Sequence, residues 1–274
     1  MDQYSDDKKE SRKLTLFGGS VGWSPEDWTA SDDSVRGGKS ESHLEIDGDT
    51  ARFHGTLDIK TLGGAGFASQ RTTGDDREWN LSDYAGIQLD VAKGDKKRYT
   101  FILKDELLPP DEKSGREQST ISWECDFELP PQTKPGDVCD KSVYIPWDSL
   151  NPTYRGKLKK DADPLDLKKI KRISIMMRSF FGSQEGDFSL KIKTLAALEK
   201  APKSAGLKSP SVYDPQRLED GTNAIAQQPN RPLRGPGSSW LADATVQKSA
   251  LTIALVVGAL LLYKYPGYLY TRGR

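Results

Sequence analysis

Gly86-Ile-Gln-Leu-Asp-Val91, the turn residues Lys93-Gly94-Asp95, and then Tyr99-Thr-Phe-Ile-Leu-Lys104 decide the fold class. In the first run Ile87, Leu89 and Val91 fall on one face with polar residues between them, the two-residue period of a strand with one buried side. The second run is rich in aromatic and β-branched residues, and the Gly-Asp pair between the two predicts a hairpin. Upstream, Ala51-Arg-Phe-His-Gly-Thr-Leu-Asp-Ile59 places Ala51, Phe53 and, after Gly55, Leu57 and Ile59 on one face. Similar patterns predict strands over 42–46, 66–70, 119–129, 141–146, 170–178 and 187–195. About nine short strands spaced by Gly, Pro and Asp clusters predict an all-β sandwich of jelly-roll type. Helix signals are sparse: Asp163-Pro164-Leu-Asp-Leu-Lys-Lys169 predicts one short helix, with Asp163 as N-cap and Pro164 in its first turn.

Composition narrows the function classes. The chain has 274 residues and 40 Lys+Arg against 40 Asp+Glu, so zero net charge gives no electrostatic reason to expect a nucleic-acid partner. Two histidines, His43 and His54, and two cysteines, Cys125 and Cys139, are too few for a His-rich metal centre or a disulfide framework.

The texture changes after residue 200. Six prolines (Pro202, Pro210, Pro215, Pro229, Pro232, Pro236) stand among Gly, Ser, Asn and Gln, a composition with too little apolar surface to offset the entropy of ordering it. The uncharged run Ala250-Leu-Thr-Ile-Ala-Leu-Val-Val-Gly-Ala-Leu-Leu-Leu-Tyr263 follows, apolar on every side. Lys264 can snorkel, and Tyr263, Tyr265, Tyr268 and Tyr270 supply an interfacial belt. From Ala250 to Tyr270 is about 21 residues, or about 31 Å as a helix, enough to cross a bilayer. The expected organisation is a polar tail over 1–13, a sandwich domain over 14–200, a disordered Pro-rich linker over 201–248, one transmembrane anchor over 249–270 and a basic tip over 271–274. The first ten residues are acidic and polar, unlike a signal or transit peptide. A tail-anchored topology with the domain facing the cytosol, on the mitochondrial or endoplasmic-reticulum membrane, is therefore expected, and both cysteines are expected to be free thiols.

Several segments in order resemble the complex I intermediate-associated protein 30 family: Asp32-Asp-Ser-Val-Arg-Gly-Gly-Lys-Ser40, Ala51–Leu57, Gly63-Gly-Ala-Gly-Phe-Ala-Ser-Gln-Arg71, Tyr84–Tyr99, Val143-Tyr-Ile-Pro-Trp147 and Gly186-Asp-Phe-Ser-Leu-Lys-Ile192. The resemblance covers roughly residues 14–198. It implies a galactose-binding-like jelly-roll and a chaperone-like, non-enzymatic role in assembly of mitochondrial respiratory complex I, with a protein partner such as an assembly intermediate or a membrane-protein biogenesis factor. The sequence departs from the family in lacking a transit peptide and in carrying the C-terminal apolar run. The fold analogy and the tryptophans raise a second reading, a carbohydrate-binding or carbohydrate-processing domain.

No catalytic, cofactor or metal site is expected. Gly37-Gly38 and Gly63-Gly64 lead into strand and not into the helix that a phosphate loop needs, so they read as turn glycines. The acidic pairs Asp32-Asp33, Asp75-Asp76, Asp105-Glu106 and Asp111-Glu112 read as solvated loop charge, without the spacing of a calcium loop. His43 and His54 read as ordinary strand positions, and Trp123, alternating with Ile121, Cys125 and Phe127, as core. Trp28 and Trp79 are candidate binding surfaces, since flat amphipathic rings stack on sugars or anchor protein interfaces. Arg71 and Arg178, each closing an otherwise apolar strand, are the other two candidates.

Overall fold

The computed structural model describes residues 11–113, 115, 117–129 and 141–202, so the linker, the anchor and Cys139 lie outside it. Among the described residues there are thirteen strands: β1 (Lys13–Gly18), β2 (Trp28–Ala30), β3 (Glu41–Asp47), β4 (Thr50–Leu57), β5 (Phe67–Thr72), β6 (Gly86–Gly94), β7 (Arg98–Lys104), β8 (Ser122–Glu128), β9 (Lys141–Pro146), β10 (Asn151–Tyr154), β11 (Lys157–Leu158), β12 (Arg172–Arg178) and β13 (Gly186–Leu198). They form two antiparallel sheets, the jelly-roll sandwich that the alternation predicts. One sheet runs β3-β4-β13-β6-β9 with β1 also on β13; the other runs β11-β10-β8-β7-β12-β5-β2. Among the described residues no helix is long and apolar enough to cross a membrane.

The core lies where the inner faces meet. Phe53 and Phe188 from the first sheet, 4.9 Å apart by ring centroid, meet Tyr99 and Phe127 from the second, themselves 5.9 Å apart. A second aromatic group of Phe17, Trp23, Trp28 and Trp79 packs at centroid distances of 4.9–6.2 Å. The long strand β13 shows how the sequence holds a core face over thirteen residues. Phe188, Leu190 and Ile192 point inward; an extra residue at Lys193, a β-bulge in the register with β6, then shifts the parity so that Leu195 and Ala197 also point inward. The indole of Trp23 donates to the Lys193 carbonyl at 3.0 Å, giving the bulge a partner.

Two expectations are corrected. Strands β6 and β7 follow one another closely but do not form a hairpin; they belong to different sheets. Asp95 turns the chain between them: its carboxylate accepts from the Lys97 amide, the Tyr99 hydroxyl and, across the sandwich, the Ser189 amide at 2.8–3.0 Å. Both runs can bury an apolar face only if each faces the core from its own side. The segment over 163–169 is not a helix. Its Leu165 and Leu167 pack on the core, and the Leu167 carbonyl accepts from the Leu81 amide at 2.7 Å, so tertiary packing overrides a weak local signal.

Cys125 lies 2% exposed in the core, and burial pushes its thiol up to about 11. With Cys139 replaced by serine, the native protein is expected to leave Cys125 unmodified by Ellman's reagent at pH 8 and to release one equivalent only in denaturant; rapid native labelling contradicts this placement.

Candidate functional site

The outward face of the seven-stranded sheet brings together two of the four residues singled out from sequence. Alternation along β5, β7, β8 and β12 sends Ala68, Gln70, Phe101, Leu103, Trp123, Cys125, Ile173 and Ile175 inward and the intervening residues outward. In register, Arg71, Ser174, Ile102 and Glu124 form one row across four strands, and Ser69, Met176, Thr100 and Asp126 form the next. The middle of this face is half-closed: Thr100 and Ile102 are buried, and Met176 is half-buried between them and Ser69.

Charge is concentrated at its two ends. At one end Arg178 spans β7 to reach β8. Its Nη1 donates to Glu124 Oε2 at 2.7 Å and its Nη2 to Asp126 Oδ1 at 2.6 Å. Thr153 Oγ1 donates to the other oxygen of Glu124 at 2.8 Å, and Thr100 Oγ1 to Asp126 at 2.7 Å. Burial alone would lower the Arg178 pKa; the two carboxylates outweigh it, and the guanidinium is held more firmly charged than usual. Phe180 lies against both Arg98 and Arg178, its ring centroid 4.5 and 4.9 Å from their guanidinium carbons. The backbone there is unusual: Phe180 and Phe181 both have positive φ, at 44° and 58°, which costs bulky residues roughly 1–3 kcal/mol each. The loop is held by the Gln184 side chain, which donates to the carbonyls of Arg98 and Arg178 and accepts from the Arg98 amide. Phe181 is thereby presented to solvent, 63% exposed.

At the other end Arg71, Lys104 and Arg172, from β5, β7 and β12, converge on Glu117, carried by the β7–β8 connection. Glu117 Oε2 lies 3.1 Å from Arg71 Nη2 and 2.7 Å from Arg172 Nη1, and Oε1 lies 4.0 Å from Lys104 Nζ. Arg172, only 2% exposed, also donates to Asp75 at 2.8 Å and to the Gly74 carbonyl. Burial lowers the pKa of Lys104 and of Arg71, and the neighbouring guanidinium of Arg172 pushes both the same way.

The two tryptophan candidates lie elsewhere. Trp28 is 6% exposed, with its ring against Phe17 and Trp23 in the second aromatic group, so it offers no free face. Trp79 is half-buried; its backbone pairs with Ile170, and its ring packs on Phe17 with Arg77 above it. Trp123 is core, as its alternation predicts.

The pair Asp32-Asp33 is not solvated, which corrects the sequence reading. Asp33 is fully buried and accepts from the Ser40 amide and hydroxyl and from the Phe67 amide at 2.7–3.1 Å. Asp32 accepts from the Ser42 amide and hydroxyl and from the Ser69 amide at 2.7–3.0 Å. Burial raises the Asp32 pKa, partly offset by those hydrogen bonds. The two carboxylates lace β3 to β5 and so fix the strand that carries Arg71. On the opposite sheet, His43 and His54 are cross-strand partners with rings 5.4 Å apart, in a groove of about 320 Å³ that Glu41, Arg52 and Asp187 also line. Burial, followed by the charge of Arg52, lowers the His54 pKa. Among the described residues no group of three or more His, Cys, Asp or Glu is placed to hold a metal.

Sequence reasoning missed Glu124 and Asp126, although they alternate with Trp123, Cys125 and Phe127 and so had to face outward. Glu117 and Arg172 carried no such signal, because their meeting depends on the path of a loop.

An uncharacterized protein of Schizosaccharomyces pombe is 47% identical over 192 residues, covering 68% of this chain and 84% of the relative. Among solved structures, an agarase matches with a TM-score of 0.38 and 13% identity, over 78% of this chain and 30% of its own. The carbohydrate recognition domain of Emp46p matches with a TM-score of 0.26 and 13% identity, over 64% of this chain and 89% of its own. The chain thus spans under a third of the agarase. The model of the complex I intermediate-associated protein 30 family matches residues 17–192, which takes in both sheets almost entirely, and the chain belongs to that family.

Proposed function

We propose that this protein is a non-enzymatic, membrane-anchored binding module with a chaperone-like role, which holds a protein partner on the outward face of its seven-stranded sheet. Family membership favours an assembly intermediate of respiratory complex I as that partner. The observation that carries the reading is the build of the face itself. A half-closed middle around Met176, Thr100 and Ile102 lies between two charged ends, with Phe181 held out on a strained but anchored loop. Apolar and aromatic anchors inside a polar rim are what protein interfaces use.

The uncharged run over 250–263 and its tyrosines support an anchor over 249–270. The domain is suited to a tether: Arg12 and Glu199 meet through backbone and side-chain bonds of 3.0–3.2 Å, so both flanking segments leave from one place.

The test is recovery of tagged full-length protein from its native membranes. Complex I subunits or assembly factors are expected to copurify with the wild type and to fall at least about tenfold with Met176→Arg. Unchanged recovery with Met176→Arg removes this face from the account. Saturable binding of an oligosaccharide in place of any protein partner favours the carbohydrate reading.

A further inference from the structure

The cations Arg71, Lys104 and Arg172 are fixed by the sheet and not by Glu117. Arg172 and Lys104 are directly opposite each other in the β12–β7 ladder, and Arg71 is opposite Ser174 in the β12–β5 ladder. Three strands thus aim three positive charges at one place, and the anion that meets them arrives on a loop. A guanidinium as deep as Arg172 has to be paired. Its pairing here is incomplete: Nε is buried without a hydrogen-bond partner, and both guanidinium groups share the single oxygen Oε2 of Glu117. The second oxygen stands 4.0 Å from Lys104, beyond hydrogen-bond distance. The other carboxylate, Asp75, is 78% exposed and therefore mostly solvated. The next carboxylate, Glu124, is bonded to Arg178 and Thr153, so the three cations share one carboxylate and one exposed aspartate, a local excess of positive charge. The planar forks of two arginines beside a lysine match the bidentate geometry of an oxyanion.

We propose that Arg71, Lys104 and Arg172 form an oxyanion-binding site, for the carboxylate of an acidic side chain or for a phosphate group, and that the chain's own Glu117 occupies it in this structure. An incoming group with more oxygens satisfies donors that the one Glu117 oxygen leaves underused, so binding is competitive with Glu117. The site sits at one end of the face described above. Its test uses small anions on the isolated chain, so it stands or falls separately from the choice of protein partner.

The experiment compares thermal unfolding of the full-length wild type, Glu117→Ala and Glu117→Ala/Arg71→Gln in phosphate, acetate and chloride at matched ionic strength. In chloride Glu117→Ala is expected to melt lower than the wild type. With phosphate at about ten times its Kd, Glu117→Ala gains roughly 3–5 °C, the wild type gains less, and Arg71→Gln abolishes the extra gain. An equal gain in acetate assigns the site to carboxylates in general; a gain in phosphate alone assigns it to phosphate groups. Equal melting of Glu117→Ala in all three salts overturns the proposal. If Glu117→Ala folds in no buffer, the isosteric Glu117→Gln is read the same way: an anion-specific gain supports the site, and its absence overturns it.

Discussion

Replacing Asp33 by alanine is expected to lower the melting temperature by about 8–16 °C, the largest single loss predicted for this domain. Asp33 is fully buried, and its two oxygens take the Ser40 amide, the Ser40 hydroxyl and the Phe67 amide. Alanine leaves the Ser40 and Phe67 amides without an acceptor in a closed space, while the Ser40 hydroxyl keeps only the Asp58 carbonyl at 3.3 Å. Each buried orphan costs about 1–3 kcal/mol, so the total is on the order of 4 kcal/mol, within a domain stability of about 5–15 kcal/mol. The turn around Asp33 has no slack. A Cβ at Gly38 would stand 2.2 Å from the Asp33 carboxyl carbon, and one at Gly66 would stand 2.3 Å from the Asp58 carbonyl oxygen. Gly38→Ala is therefore expected to lose stability on the same scale as Asp33→Ala. Thermal or urea unfolding of both variants checks this, and a loss under about 1 kcal/mol in either contradicts the structural role given to the Asp32–Ser40 segment. That segment carries part of the family resemblance, and the structure explains it as architecture and not as a ligand loop.

The second large effect is at Arg178. Glu124 and Asp126 have side chains only 10% and 14% exposed, so Arg178→Met strands two buried carboxylates. Removing one partner of such a buried arrangement costs about 3–5 kcal/mol, whereas replacing the whole group by neutral residues of similar size is often near neutral. Arg178→Met alone is therefore expected to lose about that much. The triple variant Arg178→Met/Glu124→Gln/Asp126→Asn is expected to recover most of it. A chemical-denaturation cycle decides the point: equal destabilisation of the single and triple variants shows that the arginine contributes through packing and not through pairing. The triple variant then becomes a folded protein without the Arg178, Glu124 and Asp126 charges at this end of the face, the form needed to ask whether the partner reads those charges.

Much of the fold was legible because alternation is a direct consequence of a strand with one buried side. Phe53, Leu89, Phe101, Phe127, Ile175 and Leu190 all stand in the core where that period places them. What failed depended on the third dimension. The turn between β6 and β7 reads as a hairpin locally, and only the bonds from Asp95 to Tyr99 and Ser189 send the second strand to the other sheet. Strands β1, β2, β10 and β11 are short or lie at sheet edges, and no run of alternation is long enough to mark them. Arg71 and Arg178 stood out because each is a charge closing an apolar strand, and they do share one face. Trp28 stood out for its chemistry, but its exposure was decided by Phe17 and Trp23, which the local sequence could not place against it. Asp33 read as surface because isolated carboxylates usually are; the three donors that bury it come from seven and thirty-four residues away.

The most direct test of the central claim is site-specific photo-crosslinking from the sheet face in intact membranes. A photoreactive residue at position 176, in the middle of the face, is expected to capture a complex I subunit or assembly factor. The same residue at Tyr154, exposed on β10 away from those two rows, is expected to capture none. Capture from position 154 but not from 176 contradicts the placement of the partner site on the outward face of the seven-stranded sheet.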